Sequence, residues 1–183
     1  MRGPLPLLAL AGLVGATAGG FTPAPPVTMA SVERARYLMG TLCTAVVEHA
    51  NGAAALGALT AALDEIDRLE DVMSAWRADG ELARLNRSAE GGPVACSADL
   101  AAVLDSALVL ARLTGGAFDP TVGPLMETWD LRGAGRTPDE VEIATALGRV
   151  GWPALDVDRE ARSARFARAG MSVDLGGIGK GFA

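Results

Sequence analysis

An α+β fold is predicted for this chain of 183 residues, and three observations lead to that prediction. Segments with β-branched character and segments with helical hydrophobic spacing follow one another in mixed order. Short turn signals that contain glycine, proline or asparagine separate these segments. Half of the residues are hydrophobic, which is enough to form a packed core, and the length allows one domain.

The first two elements are predicted to be strands that flank Met39-Gly40-Thr41. Residues 34–37 form the first strand, and residues 42–48, which include two adjacent valines, form the second. Asn51-Gly52 then marks a turn.

Helical spacing follows. The first helix extends over about five turns, with an apolar stripe made of Leu56, Leu59, Leu63, Ile66 and Met73. Residues 81–86 are predicted to form a short helix.

A longer helix begins after Ser97 as N-cap and ends at Thr114-Gly115-Gly116. Its apolar face is made of Leu100, Val103, Leu104, Ala107 and Ala111. Another helix opens with a capping box at Thr137-Pro138-Asp139-Glu140, places its proline at the first helical position and ends near Leu147.

The last part of the chain is predicted to be a meander of three strands. These strands comprise residues 155–158, 163–167 and 171–175, with turns near Glu160 and Gly170.

Composition argues against several classes of function. The 16 basic and 22 acidic residues give a net charge of -6, so no basic excess is available to bind nucleic acid. The single histidine, His49, excludes a site built from several imidazoles. Cys43 and Cys96 are too far apart for a CxxC motif. They are either two buried small side chains or, in an oxidising compartment, one disulfide.

The N-terminal segment is predicted to direct export. Arg2 supplies a positive charge, residues 5–14 form a short apolar run, and Ala16-Thr17-Ala18 has the small-x-small pattern of a signal-peptidase site. We therefore expect the mature protein in the periplasm or at the outer face of the inner membrane. The expected parts of the chain are a signal peptide over residues 1–18, a Pro-rich linker over 19–31 and a folded domain over 32–183.

The segment of residues 173–181 has the composition of a ligand-binding loop. A predicted strand delivers Asp174, a Gly-rich turn exposes its backbone, and Lys180 follows as the only lysine of the chain. Such a lysine is a natural phosphate partner, because glycines let a ligand approach the backbone closely. The pattern is not a P-loop, which would need glycine in place of Asp174 and a hydroxyl residue in place of Gly181. A Gly-rich turn with a surface lysine is the alternative.

Two further segments contain candidates for contacts to a flat heterocycle. Residues 115–125 contain three glycines, two prolines and an Asp-Pro step, which predict an irregular path with exposed main-chain groups. Within them, Asp119 and Thr121 could instead cap a helix. Trp76 could stack on a ring or belong to the core, and Met39 has the same ambiguity.

Four stretches in this order resemble the ApbE family of FAD:protein FMN transferases, which are exported flavin enzymes. They are Met39-Gly40-Thr41, residues 73–82 with Leu85-Asn86, residues 116–125, and residues 174–181. The resemblance covers roughly residues 35–183 and implies a two-lobed α+β fold with FAD in a cleft.

The resemblance also implies roles for individual residues. Positions that contact FAD in the family are matched by Met39, Trp76, Asp174 and Lys180. The loop that holds the flavin nucleotide is matched by Ala117, Phe118 and Asp119. Gly177 matches a position whose backbone oxygen helps to coordinate a divalent metal, normally Mg²⁺. No catalytic base is identified, and Asp174 is assigned as a cofactor contact.

The activity that the resemblance implies is magnesium-dependent transfer of FMN from FAD to a Thr or Ser hydroxyl of a protein, with release of AMP. The acceptor is expected to be a membrane redox subunit. An FAD pyrophosphatase that yields FMN and AMP, and a non-catalytic flavin-binding fragment, are the alternatives. Family members continue past the glycine loop, so we expect a truncated chain with an incomplete metal site and no transferase activity of its own.

Overall fold

The computed structural model describes residues 28–88 and 92–183. The predicted signal peptide and most of the predicted linker lie outside these residues. The strands are β1 (Ala30–Leu38), β2 (Thr41–His49), β3 (Val94–Ala95), β4 (Leu155–Asp158) and β5 (Ser163–Phe166). The helices are α1 (Gly52–Met73), α2 (Glu81–Arg87), α3 (Ala98–Leu113), α4 (Gly123–Thr128), α5 (Glu140–Leu147) and α6 (Gly179–Phe182). A 3₁₀ turn at Trp152–Ala154 precedes β4. The predicted α+β class is confirmed.

Strands β1 and β2 form an antiparallel hairpin, and α1 packs against both of them. The two-residue turn consists of Met39 and Gly40, with φ of +50° and +70°. Positive φ at both central residues is the geometry that matches the twist of the flanking strands. Both predicted strands are confirmed, although β1 begins at Ala30.

Helix α1 is capped at its start by the side chain of Asn51, which accepts hydrogen bonds from the backbone N–H of Ala53 and Ala54. The apolar stripe buries Leu59, Leu63 and Met73. Leu56 was predicted in this stripe but is exposed. It lies at the edge of the stripe, about 100° around the helix axis from Met73 and about 140° from Leu69.

The core lies between α3 and the three-stranded sheet, whose order is β3-β5-β4 with antiparallel pairing throughout. The predicted apolar face of α3 is buried. Further core side chains come from α2 and from the segment before α6; they are Leu82, Leu85, Met171, Val173 and Leu175.

The prediction of a third meander strand over residues 171–175 is wrong. This segment makes a single parallel bridge, between Ser172 and Val122, and joins neither sheet. The side-chain amide of Asn86 instead bonds both backbone groups of Val173, which a neighbouring strand would otherwise pair. Met171, Ser172, Val173 and Leu175 are all buried and Asp174 is partly buried, so the apolar–polar alternation of the sequence does not correspond to alternating exposure.

The predicted start of α5 is displaced. Asp139 is the N-cap: its carboxylate accepts from the Glu142 N–H at 2.8 Å, and the Glu142 carboxylate accepts from the Asp139 N–H at 2.9 Å. The capping box therefore begins two residues later than predicted, and Pro138 precedes the helix.

Helices α4 and α6 were not predicted; each is a short helix that follows a glycine-containing loop. Cys43 and Cys96 are free thiols. Cys96 is buried, as the first of the two interpretations predicts, whereas Cys43 is only partly buried. Within residues 28–88 and 92–183, no helix has the length and apolar character needed to cross a membrane.

Candidate functional site

A cavity of about 500 Å³ opens between the β1–β2 turn, the C-terminal end of α1 and the Gly-rich segment. Four residues singled out from the sequence line it: Met39, Trp76, Asp174 and Lys180. They come from three separate segments of the chain, since only Asp174 and Lys180 share one, so the fold creates their proximity. We call this space the hairpin cavity.

One side of the hairpin cavity is apolar and soft. Met39, Met73 and Met126 line it together with the rings of Tyr37 and Trp76. The Trp76 side chain is 61% exposed, so it is not a core residue. Polarisable thioethers and an accessible indole face suit a planar aromatic ligand.

The β1–β2 turn is anchored to α1 by one polar contact. The backbone N–H of Met39 donates to Glu70 Oε2 at 2.7 Å. This bond fixes the turn at the rim of the cavity, which Glu70 also lines. Nothing in the sequence marks Glu70, because its partner is a main-chain group 31 residues away.

The opposite side of the hairpin cavity carries charge. Asp174 is only 12% exposed at its side chain, accepts from the Gly176 N–H at 2.8 Å, and forms an ion pair with Arg132. Lys180 lies on α6, is exposed, and has no ion-pair or hydrogen-bond partner among the residues that the structure describes. The cavity therefore combines a paired carboxylate with an available cation.

Arg132 was missed by the sequence analysis. Its guanidinium lies 4.9 Å from the centroid of the Trp76 ring, within the range of a cation–π contact. Arg132 belongs to an irregular segment after α4 and is one of many arginines, so the sequence contains no signal for this role.

Residues 117–119 do not line the hairpin cavity. The Asp119 carboxylate binds its own loop: Oδ1 accepts from the N–H and the hydroxyl of Thr121 at 2.7 and 2.6 Å, and Oδ2 accepts from the Trp152 N–H at 3.0 Å. Neither Asp119 nor Thr121 caps α4, because its N-cap is Val122.

This loop nevertheless abuts the Gly-rich segment. The Asp174 N–H donates to the Pro120 carbonyl at 2.8 Å. A Cβ added to Gly177 would lie 3.1 Å from Phe118 Cε2, so the ring of Phe118 packs closely on the bare backbone there. Ala117 is exposed beside it.

One backbone oxygen in this region is available as a ligand for a divalent metal. The carbonyl oxygen of Gly177 accepts no backbone hydrogen bond from the described residues, and a free carbonyl is a hard oxygen ligand of the kind that Mg²⁺ takes. Residues 28–88 and 92–183 contain no group of three or more His, Cys, Asp or Glu side chains that could hold a metal. Gly177 thus fits Mg²⁺ as one ligand among others.

Comparison with known proteins identifies the family of this chain. A model of the ApbE family matches residues 39–183. The chain is 36% identical over 160 residues to an FAD:protein FMN transferase of Treponema pallidum. This alignment covers 81% of this chain and 43% of the relative. It is 35% identical over 123 residues to an FAD:protein FMN transferase of Haemophilus influenzae, and this alignment covers 62% of this chain and 36% of the relative.

Solved structures show the same fold. The ApbE protein of Thermotoga maritima superposes with a TM-score of 0.77 at 28% identity, over 84% of this chain and 50% of that one. The flavin transferase ApbE of Vibrio cholerae gives 0.75 at 29% identity, over 85% and 51%. The chain spans less than half the length of the two curated relatives and about half the length of these structures.

Proposed function

This chain belongs to the ApbE family, and on that premise we propose that it forms the FAD-binding part of an FAD:protein FMN transferase. The observation that carries the proposal is the convergence of Met39, Trp76, Asp174 and Lys180 on one cavity. The relatives that match this chain are named for that activity.

The two sides of the hairpin cavity suit the two chemistries of FAD. The methionines and the open face of Trp76 would receive a planar ring. Lys180 would hold the pyrophosphate as a point charge. Gly176 also lines the cavity, and an added Cβ there would come within 2.9 Å of Asp174 Oδ1.

In the proposed reaction a Thr or Ser hydroxyl oxygen of the acceptor protein bonds to the FMN phosphorus of FAD. The bond from that phosphorus to the AMP oxygen breaks, AMP leaves, and the hydroxyl proton is released. This chain's part is to position the pyrophosphate and to offset its charge through Lys180. The structure assigns no residue as general base.

Mg²⁺ belongs to this proposal as well. Gly177 would supply one oxygen ligand, and phosphate oxygens and water are the further ligands that Mg²⁺ usually keeps. When bound, the ion supplies charge neutralisation at the pyrophosphate.

Export and the acceptor are further parts of the proposal. The charge at Arg2, the apolar residues 5–14 and Ala16-Thr17-Ala18 support secretion to the periplasm or to the outer face of the inner membrane. An acceptor at that face would be a protein with an accessible Thr or Ser, such as a membrane redox subunit.

FAD titration of the 183-residue chain tests the binding step, with flavin fluorescence as the readout. Lys180→Ala should weaken binding by about 1.5–3 kcal/mol, the contribution of a charge-assisted contact. Arg159→Ala is the matched control, because it removes the same charge from an exposed residue outside the cavity and should bind as the wild type does. An unchanged dissociation constant for Lys180→Ala would mean that Lys180 is a surface lysine without a role in FAD binding.

Incubation with FAD, Mg²⁺ and an acceptor domain then tests the reaction. A mass shift of the acceptor by FMN together with AMP would support transfer. FMN and AMP without acceptor modification would indicate the pyrophosphatase alternative. FAD that is bound but left intact would agree with a chain that supplies only the FAD-binding part, as well as with the non-catalytic alternative.

A further inference from the structure

Arg132 connects two residues of the hairpin cavity without lining it. Its guanidinium lies over the Trp76 ring at 4.9 Å and forms an ion pair with Asp174 Oδ2. The side chain is only 19% exposed, and its Nε–H is buried with no partner among the described residues. A buried donor without a partner costs free energy. The contacts of the guanidinium with Trp76 and Asp174 are what this buried position provides in return.

The charges around the hairpin cavity pose a problem for an anionic ligand. Asp174 and Glu70 both line it, and each carboxylate would repel a pyrophosphate. Arg77 also lines it, but its guanidinium pairs with two aspartates of α1, Asp67 and Asp71. Without Arg132, therefore, Lys180 alone would face two carboxylates.

We propose that Arg132 is a positioning residue of this site, which cancels the charge of Asp174 and holds Trp76 in the cavity wall so that the wall accepts an anionic dinucleotide. The inference rests on the proposed function, since it takes FAD as the ligand. The guanidinium suits both tasks, because it lies over the indole ring and also donates to the carboxylate.

The test compares FAD binding and neutral riboflavin binding by the full chain and its variants. Arg132→Met removes the charge and keeps an apolar stem, and it should weaken FAD binding by about tenfold or more because Asp174 is left unpaired. Riboflavin lacks phosphates, and the methionine side chain can still pack on the Trp76 ring, so riboflavin binding should change by less than about threefold. Arg132→Lys keeps a cation beside the carboxylate and should recover most of the FAD affinity.

A double variant that removes both charges of the Arg132–Asp174 ion pair, called here the charge-neutral pair, distinguishes this role from a merely structural one. Arg132→Met combined with Asp174→Asn should bind FAD within about threefold of Asp174→Asn alone, because the uncompensated carboxylate is gone. Arg165→Met is the matched control: it breaks an exposed ion pair with Asp156, outside the cavity, and should bind FAD as the wild type does.

The outcomes are distinct. If the wild type does not bind FAD, the proposed function fails. If the wild type binds FAD but Arg132→Met binds it equally well, or loses FAD and riboflavin in equal proportion, the inference about Arg132 is wrong. If Arg132→Met does not fold, as judged by circular dichroism, the charge-neutral pair decides: binding like Asp174→Asn supports the inference, and loss of binding overturns it.

Discussion

Asn86 joins α2 to the segment that carries Asp174, and its replacement by alanine should destabilise both the fold and the site. Its Nδ2 donates to the Val173 carbonyl at 2.9 Å, and its Oδ1 accepts from the Val173 N–H at 2.8 Å. Val173 is fully buried, so water cannot replace these bonds in Asn86→Ala.

The magnitude follows from the two groups left without partners. A buried donor or acceptor without a partner costs about 1–3 kcal/mol, so the loss for both should be about 2–6 kcal/mol of unfolding free energy. Asn86→Asp should not restore the loss at neutral pH, because a carboxylate can accept from the Val173 N–H but faces the Val173 carbonyl with a second acceptor.

Urea unfolding followed by circular dichroism measures the stability, and FAD titration measures the effect on the site. Asn86→Ala should also weaken FAD binding, since Val173 directly precedes Asp174. Asn51→Ala is the matched control: it removes the N-cap of α1, should cost about 1 kcal/mol, and should leave FAD affinity unchanged. A change below about 0.5 kcal/mol in Asn86→Ala would refute this reasoning, since that is the size of an ordinary surface effect.

Two other predictions concern packing and the thiols. Gly123→Ala should destabilise the fold by about 1–3 kcal/mol in the same urea assay, because the new Cβ would lie within 2.8 Å of the Ser172 carbonyl oxygen; Gly57→Ala, which has open space around its Cβ, should be neutral or stabilising. Iodoacetamide should modify Cys43 faster than Cys96, which is 8% exposed and whose thiol pKa is raised by burial. Mass spectrometry of the unfolded chain without reductant should find both thiols alkylated, and an unreactive pair would demonstrate a disulfide.

Periodicity predicted the elements whose partners are close in the chain. The hairpin around Met39 and the buried face of α3 follow from local patterns of strand pairing and helical spacing. The start of α5 was placed too early because Thr137 and Asp139 are both suitable caps, and the sequence alone does not say which carboxylate or hydroxyl meets the N3 backbone. The segment around Val173 has a strand-like alternation, but a side chain from α2 satisfies its backbone.

Only those residues of the candidate site that stand in distinctive local sequence could be predicted. Met39, Trp76, Asp174 and Lys180 stand in distinctive surroundings, and the resemblance to a family supplied their order. Arg132 stands in no such pattern and is recognised only by the two side chains that it touches in space.

The hairpin cavity depends on polar contacts between residues that are distant in sequence. Met39 is bonded to Glu70 across 31 residues, Asp174 to Arg132 across 42, and Val173 to Asn86 across 87. No one segment can preform the cavity, because each of these contacts requires another part of the fold to be in place. The ligand-facing methionines and Trp76 are adaptable or exposed, so the definition of the site comes from the polar contacts that hold the surrounding segments. A change in such a supporting contact therefore acts on the ligand through the geometry and charge of the wall, although the altered side chain need not touch the ligand.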